Sequence, residues 1–393
     1  MAKLSIRDLD LAGKRVLLRL DLNVPLRDGS VTDDSRIRAA LPTIRHALDR
    51  GARLLLLSHL GRPKGKPDSA LSLAPVAARL GELLGRPVPV ARDCVGEEVA
   101  AAAARMRPGD VLMLENSRFH AGDERNDEAF SRALAALCDV YVNDAFGAAH
   151  RAHASTVGVI RFAPVAAAGF LLERELTYLG QVLETPRRPF VAILGGAKVS
   201  DKIGVIRNLL TRVDALLIGG AMAYTFLAAQ GIPVGASRVE ADRLEVARDI
   251  LARARPGRLC LPSDHVIAER VEASAPTGVV PLRGIPAGWM GLDIGPETIA
   301  QFAEEIGRAG TIFWNGPLGV FELPPFRAGT MAVAAAVAAS RATSVIGGGD
   351  TVAAVKVAGV ADRMTHLSTG GGASLEFLEG KELPGIAALP EKQ

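Results

Sequence analysis

Residues 190–202 read Phe190-Val191-Ala192-Ile193-Leu194-Gly195-Gly196-Ala197-Lys198-Val199-Ser200-Asp201-Lys202, and this stretch decides the fold. Phe190–Leu194 is a short apolar run of the kind buried inside a parallel sheet. Gly195 and Gly196 break the run, and the pattern predicts a helix soon after them. Such a junction turns backbone N–H groups toward an anion, with the partial positive charge of the helix N-terminus behind them. Lys198 and Lys202, four apart, fall on one side of the expected helix start, within reach of one polyphosphate. The GxxxxGK[ST] spacing of a P-loop is absent, and so is GxGxxG. Alone, the segment reads as readily as a tight turn with two surface lysines. Its neighbours decide.

Short apolar runs alternate with helical patterns on both sides of it. Upstream, strands are expected at Arg15–Leu20, Arg53–Leu57, Val111–Glu115 and Val140–Asn143, with helical patterns such as Ser35–Arg50 and Leu73–Leu84 between them. Downstream they are expected at Ala215–Ile218, Arg258–Leu261, Thr311–Trp314 and Thr343–Ile346. Alternation of this kind predicts parallel sheets with helices on both faces. Two such series in 393 residues predict an α/β protein of two doubly wound, Rossmann-like domains. Gly169–Gly180 carries apolar residues at helical spacing and no strand, and Thr185-Pro186 ends it. The expected division is a first domain at 1–168, a bridging helix at 169–185 and a second domain from 186.

Hydrophobic residues make up 49% and charged residues 23%, as in a folded rather than a disordered chain. A net charge of +3 is too small to mark a nucleic-acid or membrane binder. Cys94, Cys138 and Cys260 are scattered, with no metal-ligand spacing, and are expected to be buried free thiols in a reducing compartment. Met1–Asp10 lacks an apolar signal core, and no run approaches the ~18 apolar residues that span a bilayer. A cytoplasmic protein is expected.

In open α/β sheets, ligands bind beyond the carboxyl ends of the strands. After the first-half strands come Asp21 and Asn23, then His59 and Arg62, then Arg118, then Arg151, with Arg36 opening a helix. Arginine forks suit carboxylate and phosphate oxygens, so this edge points to a small, multiply charged anion. Any one of these arginines is more often a solvated charge; their shared placement carries the argument. His46 and His366 lack that placement and read as structural. In the second half, Gly219-Gly220, Asn315-Gly316, Gly347–Thr351 and Ser368–Ser374 follow strands. The last two resemble glycine-rich turns opening helices. Asp350 suits Mg²⁺ on a nucleotide, and Glu322 suits ribose hydroxyls.

Together the segments LDLNVP, SHLGRP, NDAFGAAHRAH, LGGAKVSDKIG, GIPAGWMGLD, WNGPLGVFE, GGGDT and STGGGASLEFLEG resemble the phosphoglycerate kinases over almost the whole chain. Departures are small (Leu22, Ser200 and Leu318), and the segment His120–Asp127 is compact. The resemblance implies reversible, glycolytic phosphoryl transfer between 1,3-bisphosphoglycerate and MgADP, giving 3-phosphoglycerate and MgATP. It implies phosphoglycerate binding by Asp21, Asn23, Arg36, His59, Leu60, Gly61, Arg62, Arg118 and Arg151. Nucleotide binding falls to Gly196, Lys198, Lys202, Gly291, Asn315, Glu322, Gly348, Gly349, Asp350 and Thr351, with Asp350 at the metal. It ends the nucleotide domain at 377 and returns residues 378–393 to the first domain.

The acceptor in the ATP-consuming direction is a carboxylate, already ionised at neutral pH, so no general base is required. Phosphoryl transfer needs positioning and charge neutralisation. Those roles fall to Arg36 and Lys198, with N–H donors at Gly349, Gly371 and Gly372. Closure of two domains about a hinge is then required. The chain is expected to act as a monomer. A Rossmann dehydrogenase is disfavoured by the missing GxGxxG. A noncatalytic scaffold is disfavoured because Arg36, Lys198 and Asp350 are all present.

Overall fold

The computed structural model describes residues 3–392; Met1, Ala2 and Gln393, within the first and last expected segments, lie outside the described residues. The chain divides into two compact units. The first runs through Thr177 and resumes at Glu382, and the second is Tyr178–Lys381. The dividing points therefore fall inside one helix, Phe170–Glu184, and at Lys381.

The first unit is built on five parallel strands in the order Val111–Met113, Arg53–Leu57, Arg15–Leu20, Val140–Asp144, Ala166–Ala168. Each interior strand is apolar because both of its faces are covered. Val16, Leu18, Leu54 and Leu56 pack with Ile37, Ile44, Val76 and Leu80 from the helices Ser35–Asp49 and Ala74–Leu84. Strand order reverses beside Arg15–Leu20, which opens a crevice beyond the carboxyl ends of the central strands. Residues near both ends of the chain close the unit. Leu4 N–H donates to Pro390 O (2.9 Å), Ala168 N–H to Leu4 O (2.7 Å) and Gly385 N–H to Ala149 O (2.9 Å).

The second unit holds six parallel strands in the order Leu259–Cys260, Ala215–Ile218, Phe190–Leu194, Thr311–Asn315, Thr343–Gly347, His366–Leu367. The helices Pro296–Arg308 and Ala328–Ala339 seat Phe302, Ile306, Val333 and Val337 on Val191, Ile193, Ile312 and Trp314. Strand order reverses between Phe190–Leu194 and Thr311–Asn315. An antiparallel sheet of Gly278–Pro281, Asp264–Ala268 and Met290–Ile294, absent from the sequence expectation, stands beside the main one in chain order. No described helix is long and apolar enough to cross a membrane.

The helix after Gly195-Gly196 begins only at Ile203, with Lys202 as its N-cap residue. The two lysines therefore sit on the loop ahead of the helix, not along its first turn. Of the three free cysteines, Cys94 and Cys138 are buried, whereas Cys260 is partly exposed.

Candidate active site

In the first unit, the crevice beyond the strands collects positive charge. Asp21, directly after Arg15–Leu20, pairs with Arg36 Nη1 from the first turn of the following helix. Asn23 Oδ1 accepts from Gly61 N–H (2.9 Å), which ties two strand-end loops together. Arg118 donates to Gly61 O (2.9 Å), while its buried Nε has no hydrogen-bond partner and lies 3.6 Å from Glu124 Oε1. A buried, under-satisfied guanidinium is costly unless an anion arrives. His59 is buried, and burial pushes its imidazole well below the usual range, helped by Arg19, Arg118 and Arg36. Burial likewise lowers Arg118, with Arg19 and Arg151 adding repulsion against Glu124 and Asp123.

The structure thus brings Asp21, Asn23, Arg36, His59, Gly61, Arg118 and Arg151 into one electrostatic cluster. Leu60 has its side chain in the core, so only its backbone faces the loop, where Asn116 holds both Leu60 N–H and Leu60 O. Arg62 is exposed, and no hydrogen bond or ion pair among the described residues fixes it.

Two members were missed from the sequence. Arg19 is fully buried within its strand, donating to Ser155 Oγ (3.0 Å), to Leu20 O and to His59 Nδ1 (3.1 Å). A charge inside an apolar strand run was the available signal. His153 is also buried, and burial pushes it down to about 4. Asp123 links the parts, accepting from Ser117 Oγ (2.5 Å) beside Arg118 and from Ser155 N–H (2.9 Å) beside Arg19's partner.

In the second unit the reversal of strand order places Gly195-Gly196 beside Gly316-Pro317. Gly195 N–H donates to Asn315 O (2.9 Å) and Gly196 N–H to Pro317 O (2.8 Å). Gly220 completes the knot: its φ is +66°, and an added Cβ would lie 2.6 Å from Gly196 N. Only glycine permits that backbone path. Beside it opens a cavity of about 380 Å³, bordered by Gly196, Gly291, Pro317, Glu322 and Asp350, with Val271, Met290 and Val320 as apolar wall. A Cβ on Gly291 would collide with the Tyr224 hydroxyl. The size, apolar wall and few polar groups suit one small organic anion.

Lys198 is exposed on the loop, while Lys202 is partly buried, and its pKa is lowered by that burial against Asp201 and Asp350. Asp350 is exposed near the start of the helix Gly349–Val357, and its carboxylate accepts no hydrogen bond from the described residues. Thr351 is otherwise engaged: its buried Oγ1 accepts from Gly316 N–H (2.7 Å), holding the loop. Asn315 is buried at its strand end, with Nδ2 against Gly348. Gly371 and Gly372 head the helix Gly372–Leu378, away from the cavity lining.

Glu240 was missed from the sequence, where nothing marks it. Its carboxylate accepts from Val199 N–H (2.5 Å), Ser200 N–H (3.1 Å) and Ser200 Oγ (2.6 Å), so it fixes the lysine loop. Arg238, two residues earlier, borders the cavity.

The model of the family described as phosphoglycerate kinase matches residues 6–381. The chain is 60% identical to a phosphoglycerate kinase of Moorella thermoacetica and 61% identical to one of Rubrobacter xylanophilus, each aligned over the full length of both chains. Its fold superposes on a solved phosphoglycerate kinase of Coxiella burnetii with a TM-score of 0.90 at 44% identity, covering 98% of each chain. For that of Pyrococcus horikoshii the TM-score is 0.88 at 34% identity, with the same coverage.

Proposed function

The chain belongs to the phosphoglycerate kinase family, whose reaction moves a phosphoryl group between 1,3-bisphosphoglycerate and ADP, and from that premise we propose how its residues divide the work. The observation that carries the assignment is the cluster of buried Arg19, Arg118 and His59 with half-buried Arg36, in which Arg118 Nε has no hydrogen-bond partner. Its own carboxylates leave this positive charge only partly offset, so an arriving anion is favoured there.

In this assignment the first unit binds the phosphoglycerate. Asp21 and Asn23 meet its hydroxyl and order the loops, while Arg62, Arg118 and Arg151 meet its phosphate. His59 donates from Nε2, and the backbones at Leu60 and Gly61 shape the loop. The second unit binds ADP or ATP. The backbone at Gly196 and Lys202 meet the phosphates, Gly291 lies against the base, and Glu322 takes the ribose. Asn315, Gly348 and Thr351 hold the loop in place, through the Thr351–Gly316 bond among others.

Arg36 and Lys198 neutralise the phosphoryl group in flight, with N–H donors at Gly349, Gly371 and Gly372. The attacking group in the ATP-consuming direction is a carboxylate, so no residue removes a proton. Asp350, exposed and without a hydrogen bond, fits a Mg²⁺ shared with nucleotide oxygens. Bound there, Mg²⁺ supplies charge neutralisation on the polyphosphate. The substrates belong to different units, so transfer requires a hinge movement that brings them in line. The same assignment has the chain acting as a monomer in the cytoplasm.

A coupled assay of 3-phosphoglycerate with MgATP tests it, run beside Lys198→Ala. Turnover that the substitution abolishes is the expected result. Unchanged kcat in the variant would remove Lys198 from the transfer step.

A further inference from the structure

At the edge of the first unit, among residues assigned to neither substrate, three side chains of different chemistry meet. Asp93 and Cys94 follow Val90, which bridges to Met113, and Glu115 N–H donates to Asp93 O (3.3 Å). His120 caps the turn Ser117–Phe119 on the neighbouring segment. Asp93 Oδ1 lies 2.6 Å from His120 Nε2 and accepts from Cys94 N–H (2.6 Å). A carboxylate oxygen, a thiol sulfur and an imidazole nitrogen thus all lie within 4.8 Å of one another.

Each group has an ordinary occupation: Cys94 packs in the interior, and Asp93 with His120 is a half-exposed ion pair. Those occupations do not require the three to converge. In a tetrahedral zinc site with bonds of 2.0–2.3 Å, ligand atoms stand roughly 3.3–3.7 Å apart. Reaching that spacing asks the Asp93–His120 pair to open by about 1 Å and the sulfur, within 4.8 Å of both partners, to close by at most about 1.5 Å, a matter of χ adjustments. The His120 ring is already steadied by stacking on Phe130, with centroids 5.1 Å apart. A groove of about 500 Å³, bordered by Asp68, Arg92, Asp93, Glu115 and His120, leaves a side open for water as fourth ligand.

We propose that Asp93, Cys94 and His120 form a binding site for one zinc-class divalent metal ion, open to solvent through this groove. Binding replaces the Cys94 S–H bond by a metal–sulfur bond, and the proton leaves to solvent. A mixed S, N, O set selects borderline metals over Mg²⁺, which takes oxygen ligands. Arg118 lies on the turn that His120 caps, so the metal is positioned to pull on a proposed substrate residue.

The probe is Co²⁺ added to the full-length, nucleotide-free protein in excess Mg²⁺. One equivalent should bind with a thiolate-to-cobalt charge-transfer band and the d–d bands of tetrahedral cobalt. His120→Gln removes the imidazole ligand and its stacking on Phe130 without charging the site, and should weaken binding by more than about tenfold. Cys94→Ser should remove the charge-transfer band, whereas Cys260→Ser should keep it. Absence of a thiolate band in the parent, its loss only in Cys260→Ser, or its survival in both His120→Gln and Cys94→Ser would overturn the proposal.

Discussion

Arg19 Nη2 lies 3.1 Å from His59 Nδ1, and both side chains are buried. A guanidinium only donates, so Nδ1 must accept, and the neutral ring carries its proton on Nε2. Arg19 therefore fixes the tautomer of a proposed substrate residue without reaching the substrate. In Arg19→Gln, the His59 ring should lose that single tautomer and its pKa should rise, since one repelling charge is gone. Nitrogen-15 NMR reads both changes, and KM for 3-phosphoglycerate should rise about tenfold with a smaller change in kcat.

Arg36→Ala and Lys198→Ala should each lower kcat by about 10²–10³-fold with modest effects on KM. Lys202→Ala should also raise KM for ATP. Steady-state kinetics with both substrates varied distinguishes the cases. A Lys198 variant whose loss lies wholly in KM would mean binding rather than transfer.

Glu240 holds the lysine loop without lining the cavity proposed for the nucleotide. Glu240→Gln keeps the size but loses the charge behind three donated hydrogen bonds, at a cost of about 2 kcal/mol. A higher KM for ATP with an unchanged KM for 3-phosphoglycerate is expected. Equal effects on both would make Glu240 a general stability residue.

The dependence of stability on pH should be shallow between about pH 4 and 7, because buried groups oppose one another. Burial raises Asp144 and Asp293 to about 7 from an ordinary 3.8, so each binds a proton in the native state that the unfolded chain has lost. Their contribution is full below the unfolded value and is lost as pH rises toward 7. Burial lowers His153 and His265 to about 4 from 6.5, and lowers His59 as well. Their contribution is present above 6.5 and is lost as pH falls. Asp144→Asn removes one opposing arm, so its melting temperature should climb more steeply with pH than the parent's. Parallel profiles would show that Asp144 ionises normally.

Most of the parallel strands were legible because strands covered on both faces are continuous apolar runs, as Phe190–Leu194 and Ala215–Ile218 are. The antiparallel sheet was not. Asp264, His265, Gly278 and Pro281 break its apolar pattern, and its strands find support only once the chain has folded. The arginines of the first unit were legible because a strand end fixes where the next residues point. Arg19 was hidden because its partners His59 and Ser155 are remote in sequence. Glu240 likewise meets Val199 from 41 residues away, and His120 meets Asp93 from 27 away. Spacing along the chain records local geometry; it does not record which distant loops converge.

The first unit is interrupted in the chain, since Glu382 onward returns to pair with Leu4, Asn143 and Ala149. On the ribosome this reverses the usual order of assembly. Residues up to Thr177 stay unfinished until Glu382 and the residues after it emerge, while all of Tyr178–Lys381 is available to fold before them. A chain truncated after Lys381 would therefore hold the whole second unit and a first unit without its closing segment. The segment after Lys381 is therefore the one whose docking completes the first unit.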